Sequence, residues 1–124
     1  MISIKETEII HNILIDKFGG RKGICDIRLL ESALARPFAT FDNQDLYPNP
    51  IEKASAIFES IIINHPFIDG NKRTAYTLMR LLLLESNLDI IASQEEKYMM
   101  VISASKGEFR FEEIKSWIHS NLKK

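Results

Sequence analysis

The chain has 124 residues, enough for one domain with a buried core and too few for two. Its 16 Lys and Arg against 17 Asp and Glu leave a net charge of -1, so no overall field draws it to nucleic acid or to an anionic membrane, and its 45% apolar and 27% charged composition is that of a soluble globular protein. One cysteine, Cys25, excludes an internal disulfide, and no run approaches the roughly 18 apolar residues of a membrane span; the expected setting is the cytoplasm.

Taken in order, Ser3 and Glu6 form a capping-box pattern, and Ile9, Ile10, Ile13, Leu14 and Phe18 recur at helical spacing up to Gly19-Gly20. His11 falls within this first helix, and without an acid, cation cluster or Gly loop beside it in sequence it is expected to be an ordinary, partly exposed helical residue. Arg21-Lys22-Gly23 reads as a loop. Asp26 caps a second helix with Leu29, Leu30, Ala33 and Leu34 on its apolar face, stopped at Pro37 because the residue before a proline leaves the helical region. From Phe38 to Tyr47 the alternation is weak around an Asp42-Asn43 turn signal, which reads as a surface connection.

Asn49 followed by Pro50 marks the start of a third helix, whose Ile51, Ala54, Ile57, Phe58, Ile61 and Ile62, widened by Ala56 and Ile63, make it apolar over most of its circumference and therefore interior. A fourth helix carries Ala75, Leu78, Met79 and Leu81 to Leu84 and ends near Asn87. Ser93 and Glu96 cap a fifth, running through Tyr98, Met99, Val101, Ile102 and Ala104 to Gly107. The last helix carries Phe111, Ile114, Trp117, Ile118 and Leu122, with His119 in its final turn, where a cation suits the helix dipole. The Met and aromatic residues of these two helices are expected to be core. The fold class is all-α: a six-helix bundle in a single domain, residues 1–124.

Between the third and fourth helices lies His65-Pro66-Phe67-Ile68-Asp69-Gly70-Asn71-Lys72-Arg73-Thr74, a polar insert between two strongly apolar segments. A helix start exposes unpaired backbone N–H groups and the positive end of the dipole, which together bind phosphate. Gly70 lets the backbone approach an anion closely. Lys72 and Arg73 put two cations where the dipole disfavours them, so an anionic ligand would account for their presence. Asp69 is a hard carboxylate suited to holding Mg2+ beside bound phosphates. An imidazole titrates near pH 6.5, so His65 can be neutral at cellular pH and take a proton from a hydroxyl. Singly, His-Pro is punctuation and Lys-Arg a solvated pair; together the set reads as base, metal ligand, anion hole and phosphate clamp. The Gly-x4-Gly-Lys-Ser/Thr order of a Walker loop and the Gly-x-Ser-x-Gly elbow of a serine hydrolase are both absent.

The same insert resembles the signature of the Fic superfamily, H-P-F-x-D/E-G-N-x-R, and the Lys after the Asn is similar to its death-on-curing (Doc) branch. Phe18-Gly19-Gly20, Asp26 with the run from Leu29 to Pro37, and Asp45-Leu46-Tyr47-Pro48 also resemble Doc stretches in the family's order. The resemblance implies a compact bundle with its active loop between the two central helices and residues 38–47 as a short flap, a hairpin-like edge for a target segment.

It further implies the toxin of a toxin–antitoxin pair, a protein kinase moving the γ-phosphate of ATP, with Mg2+, to a Ser or Thr of a translation factor such as elongation factor Tu. His65 would be the base, Asp69 the Mg2+ ligand, Gly70 and Asn71 the anion hole, and Lys72 and Arg73 the phosphate clamps. An antitoxin segment would fold into a groove, with Phe38, Phe41 and Tyr47 as candidate exposed contacts. The chain departs from adenylylating Fic enzymes, which commonly have Gly in place of Lys72 and a second Arg in place of Tyr76; Arg80 is expected to be structural rather than a substitute clamp. Adenylyl transfer to a protein hydroxyl, or an inactive toxin-like binding module, are the alternative readings.

Overall fold

Helix starts in this chain are written in side chains. Glu6 N–H donates to Ser3 Oγ while Ser3 N–H donates to Glu6 Oε1, both at 3.0 Å, and Ser93 and Glu96 exchange the same pair of bonds. Asp26 Oδ1 accepts from the N–H groups of Arg28 and Leu29, and Asn49 Oδ1 accepts from Glu52 N–H at 2.9 Å ahead of Pro50. Each such cap satisfies donors that a helix end would otherwise leave orphaned.

The computed structural model describes residues 1–123. Among them are α1 (Ile4–Phe18), α2 (Ile27–Ala35), a 3-10 turn (Arg36–Phe38), β1 (Thr40–Phe41), β2 (Gln44–Asp45), α3 (Pro50–Asn64), α4 (Asn71–Glu85), α5 (Gln94–Ser105) and α6 (Phe111–Ser120). The six-helix, all-α expectation holds. No described helix is long and apolar enough to cross a membrane.

α3 is the axis of the fold. Residues Ala54 to Ile62 are all buried, and α2, α4, α6 and the 3-10 turn pack around them. Phe58, Ile57 and Ile61 meet a core that includes Leu78, Met79 and Leu83 of α4, Leu30 of α2 and Ile114 and Ile118 of α6. Each of these large side chains contributes about 1.5–3 kcal/mol through water exclusion, so the α3–α4 pair is a stiff mount for the loop between them.

Several faces differ from the sequence reading. The inward stripe of α1 is Thr7, His11 and Ile15, while Ile9, Ile13 and Phe18 are exposed. Polar residues can occupy that stripe because their bonds are made inside: Thr7 Oγ1 donates to Ser3 O at 2.8 Å and His11 bonds the carbonyl of Asp69 in the loop between α3 and α4. Leu29, Ile63 and Leu84 are turned to solvent as well, as are Tyr98 and Met99, expected as core. α5 packs through Met100 and Ala104 and leaves Tyr98 for the cleft described below.

The stretch read as a surface connection is a small hairpin, matching the flap that the family resemblance implied. Thr40 pairs with Asp45 and Phe41 with Gln44, and Asp42 and Asn43 both take left-handed backbone angles, φ 54° and 63°, the turn whose twist suits two-residue hairpins. Phe41 is exposed, but Phe38 and Tyr47 are only half exposed. Tyr47 is held at the flap base because its hydroxyl accepts from Arg36 Nε at 2.9 Å.

That arginine belongs to a network around one buried carboxylate that sequence patterning did not disclose. Glu59, only 6% exposed on α3, accepts from an Arg36 terminal nitrogen through Oε1 at 2.9 Å and from Arg110 Nε through Oε2 at 3.0 Å. Arg36 also donates to Ser60 Oγ and Ala56 O. The flap base, the 3-10 turn, α3 and the start of α6 are thereby tied to one carboxylate. Breaking a buried ion pair leaves its partner charged and unmatched, so Glu59→Ala is expected to destabilise the domain by about 3 kcal/mol. A chemical-denaturation difference below about 1 kcal/mol would show that solvent reaches Arg36 well enough to replace the carboxylate.

Candidate active site

The loop from His65 to Gly70 is held from three directions. From within, Asn71 closes it as a clip: its Oδ1 accepts from Phe67 N–H at 3.0 Å and its Nδ2 donates to Phe67 O at 2.9 Å. From the α1–α2 connection, the N–H groups of Cys25 and Asp26 donate to Pro66 O at 2.7 and 3.1 Å, Ile24 bridges Phe67, and Ile68 N–H donates to Gly23 O at 3.1 Å. From α1, the His11 ring stacks on Phe67 with centroids 3.9 Å apart and planes 8° from parallel, while His11 Nε2 lies 2.7 Å from Asp69 O.

His65 ends α3 in a left-handed conformation, φ 47° and ψ 56°, with its N–H donating to Ile61 O. A non-glycine residue is held there only when its surroundings over-determine it, and the result is an exposed imidazole at the lip of a cleft of about 720 Å3. The floor and far wall of the cleft come from the loop, from Leu14 and Phe18 of α1, and from Lys97, Tyr98, Val101 and Ile102 of α5.

α4 starts at Gly70, which takes φ 73° and leaves the helix without a side-chain cap. The first intrahelical donor is Thr74 N–H, to Gly70 O, so the N–H groups of Asn71, Lys72 and Arg73, three residues that line the cleft, have no helical partners. Asn71's side chain is committed to Phe67, which leaves only its backbone N–H available to an anion. Among the described residues Lys72 and Arg73 form no ion pair. Both are exposed and line the cleft, Arg73 with its guanidinium 4.4 Å from the Phe18 ring centroid. The predicted residues His65, Asp69, Gly70, Asn71, Lys72 and Arg73 thus share one concavity.

Asp69 Oδ1 accepts from Gly70 N–H at 2.9 Å and Oδ2 from Arg21 N–H at 3.2 Å, which fixes the carboxylate while it stays open to solvent. Gly20 makes room for it: a Cβ there would lie 2.9 Å from Asp69 Oδ2. Among the described residues no three His, Cys, Asp or Glu converge as a metal cage. A lone anchored carboxylate beside an uncapped helix start, where phosphate can bind, suits Mg2+, which keeps most of its waters and takes remaining ligands from phosphate.

Two neighbours on α4 are settled by geometry. Arg80 donates to both oxygens of Asp89, at 2.9 and 3.0 Å, and that guanidinium holds the Asp89 carboxyl down to about 2; it is a structural cation, as expected, and not a clamp. Tyr76 lines the cleft with its hydroxyl buried and unbonded, and burial pushes its phenol above the ordinary range. His119 is exposed in the last turn of α6, away from the cleft residues. Sequence reasoning missed His11, taken as partly exposed but 1% exposed in fact. The Thr7, His11, Ile15 spacing of four carries the signal, and it is weak because two of the three are polar.

A family model described as "Fic/DOC family" matches residues 2–83. The chain is 48% identical over 59 residues to a Toxin Doc of Mycolicibacterium smegmatis, covering 48% of this chain and 45% of that protein. It is 32% identical over 73 residues to the protein adenylyltransferase fic-1 of Caenorhabditis elegans, covering 56% of this chain and 14% of that one, and 30% identical over 73 residues to the fic-1 of Caenorhabditis briggsae. These alignments span less than half the length of the relatives concerned. The family match runs from α1 almost to the end of α4, takes in the whole loop and both of its walls, and covers more than half of the chain, which therefore belongs to the Fic/DOC family.

Proposed function

We propose that this chain is a toxin of the Doc type that transfers the γ-phosphate of ATP to a Ser or Thr hydroxyl of a translation factor, an elongation factor Tu-like protein, in the cytoplasm. One observation carries this reading: Lys72, a full point charge without an ion-pair partner among the described residues, lines the same cleft as the exposed His65 and the uncapped start of α4. The 48% identity to a protein named Toxin Doc supports it, and an antitoxin partner follows from the same likeness.

In this mechanism His65 accepts the proton of the incoming hydroxyl, a contribution of about 10² to 10⁴-fold. Lys72, Arg73 and the free N–H groups of α4 hold the phosphate oxygens and gain strength as charge develops on them. Asp69 would hold Mg2+, which would supply neutralisation of the phosphate charge. The flap offers the target backbone an edge strand, a mode that reads main chain more than side chains. Loop, flap and cleft act within the single domain of residues 1–124.

Adenylyl transfer is the second reading, favoured by the likeness to proteins named adenylyltransferases. Incubation with a bacterial lysate and ATP labelled at either the α or the γ position separates them: γ-derived label alone on a protein supports the kinase, and α-derived label supports adenylylation. Label from neither position, with the chain still capturing a small partner protein, would leave a binding module.

A further inference from the structure

A buried imidazole that the mechanism does not use lies directly beneath the loop. His11 Nε2 is 2.7 Å from the carbonyl oxygen of Asp69. A carbonyl can only accept, so Nε2 carries the hydrogen and donates. We infer that His11 is a positioning residue: by fixing the direction of the Asp69–Gly70 peptide plane it orients the Asp69 carboxylate toward the cleft. The inference deepens the proposed function, because it rests on that carboxylate being the Mg2+ ligand.

The argument is geometric. In a trans peptide the C=O and the following N–H point in opposite directions across one rigid plane. Holding Asp69 C=O inward on His11 turns Gly70 N–H outward, where it donates to Asp69 Oδ1 at 2.9 Å, and Arg21 N–H takes the other oxygen. Gly70, at φ 73°, is the residue type that would allow this plane to flip if nothing held it. His11 itself has no freedom to release it, being stacked on Phe67 at 3.9 Å and 1% exposed. A Cβ on Gly70 would lie 3.5 Å from Nε2, so the ring is also the floor under the turn.

The test compares three variants by two readouts. His11→Met fills the space without a donor, His11→Gln presents an amide N–H near the position of Nε2, and His11→Asn is polar but too short to reach. The readouts are hydrogen exchange at the Gly70 amide in the free protein, and the Mg2+ concentration that half-saturates ATP binding in calorimetry. In His11→Met and His11→Asn, Gly70 exchange should quicken at least about tenfold and the Mg2+ requirement rise about 10- to 100-fold, the usual effect of losing a group that orients a metal ligand. His11→Gln should stay within about threefold of the native protein on both. Either unchanged readouts in a folded Met or Asn variant, or a Gln variant as impaired as the Met variant, would overturn the assignment. If the native protein binds no Mg2+–ATP, the proposed function fails while Gly70 exchange still decides the role of His11; if Met does not fold, the comparison of Gln with Asn decides it.

Discussion

His65→Gly is expected to cut transfer to the target protein by about 10² to 10⁴-fold while raising the midpoint of unfolding. Both halves follow from one pair of angles, φ 47° and ψ 56°, at the end of α3. An L-residue with a Cβ pays about 1–2 kcal/mol in that region, and glycine does not, though its freer unfolded chain returns part of the gain. The net should be a stabilisation of up to about 1 kcal/mol. His65 is exposed and contributes no buried packing, and its N–H bond to Ile61 O is independent of the side chain. His65→Ala removes the same base without relieving the backbone. Transfer of γ label should fall about 10² to 10⁴-fold in both, with the unfolding midpoint separating them. Near-native transfer by either variant would show that another group takes the proton, and a Gly variant less stable than the native protein would show that His65 is favourably held.

Replacing Lys72 by Gly should reduce γ-phosphoryl transfer about 10² to 10³-fold, the usual loss when a charge-stabilising donor is removed from a transition state, and allow slow transfer of α label. A lysine is a compact charge on a long stem and prefers terminal phosphate oxygens. Without it, the backbone N–H groups of α4 are left to the inner phosphates, as in the adenylylating pattern with Gly at this position. The remaining cleft cations on α4 and α5 are Arg73 and Lys97; Arg80 does not line the cleft and is paired with Asp89. The fold should tolerate the change. Glycine in a first helical turn costs up to about 1 kcal/mol, and removing a cation from a helix start returns about 0.3–1 kcal/mol. Native protein transferring label from the α position would end the kinase reading, and Lys72→Gly retaining full γ transfer would end this role for Lys72.

What was legible in the sequence was local. Ser3 with Glu6, Asn49 with Pro50 and Ser93 with Glu96 announce helix starts because their bonds close within four residues. The loop from His65 to Arg73 was legible for the same reason, its chemistry being contiguous. What escaped depends on partners far along the chain. α1 was rotated in the reading because apolar spacing favoured Ile9 and Ile13, whereas the true inward stripe uses His11, whose bond lies 58 residues away. Glu59 is a polar residue in an apolar helix whose partners, Arg36 and Arg110, lie 23 and 51 residues away in the chain. The hairpin of residues 40–45 was hidden because its two-residue strands are too short to show alternation, and only the left-handed pair Asp42 and Asn43 carries its signal.

The clasp between residues 23–26 and the loop is made of main-chain donors and acceptors. Such a clasp cannot read the letters of the sequence that make it. Cys25, which is exposed, could drift widely among descendants of this chain while the loop kept its shape, whereas Ile24 packs against the core and has to stay apolar. Two kinds of change are barred. Gly23 sits at φ 127° with Ile68 Cδ1 at 2.8 Å from where a Cβ would be, and a proline at position 25 or 26 would delete an N–H that Pro66 O requires. The mutational record of this stretch should therefore be permissive to nearly every substitution at position 25 and intolerant of one imino acid.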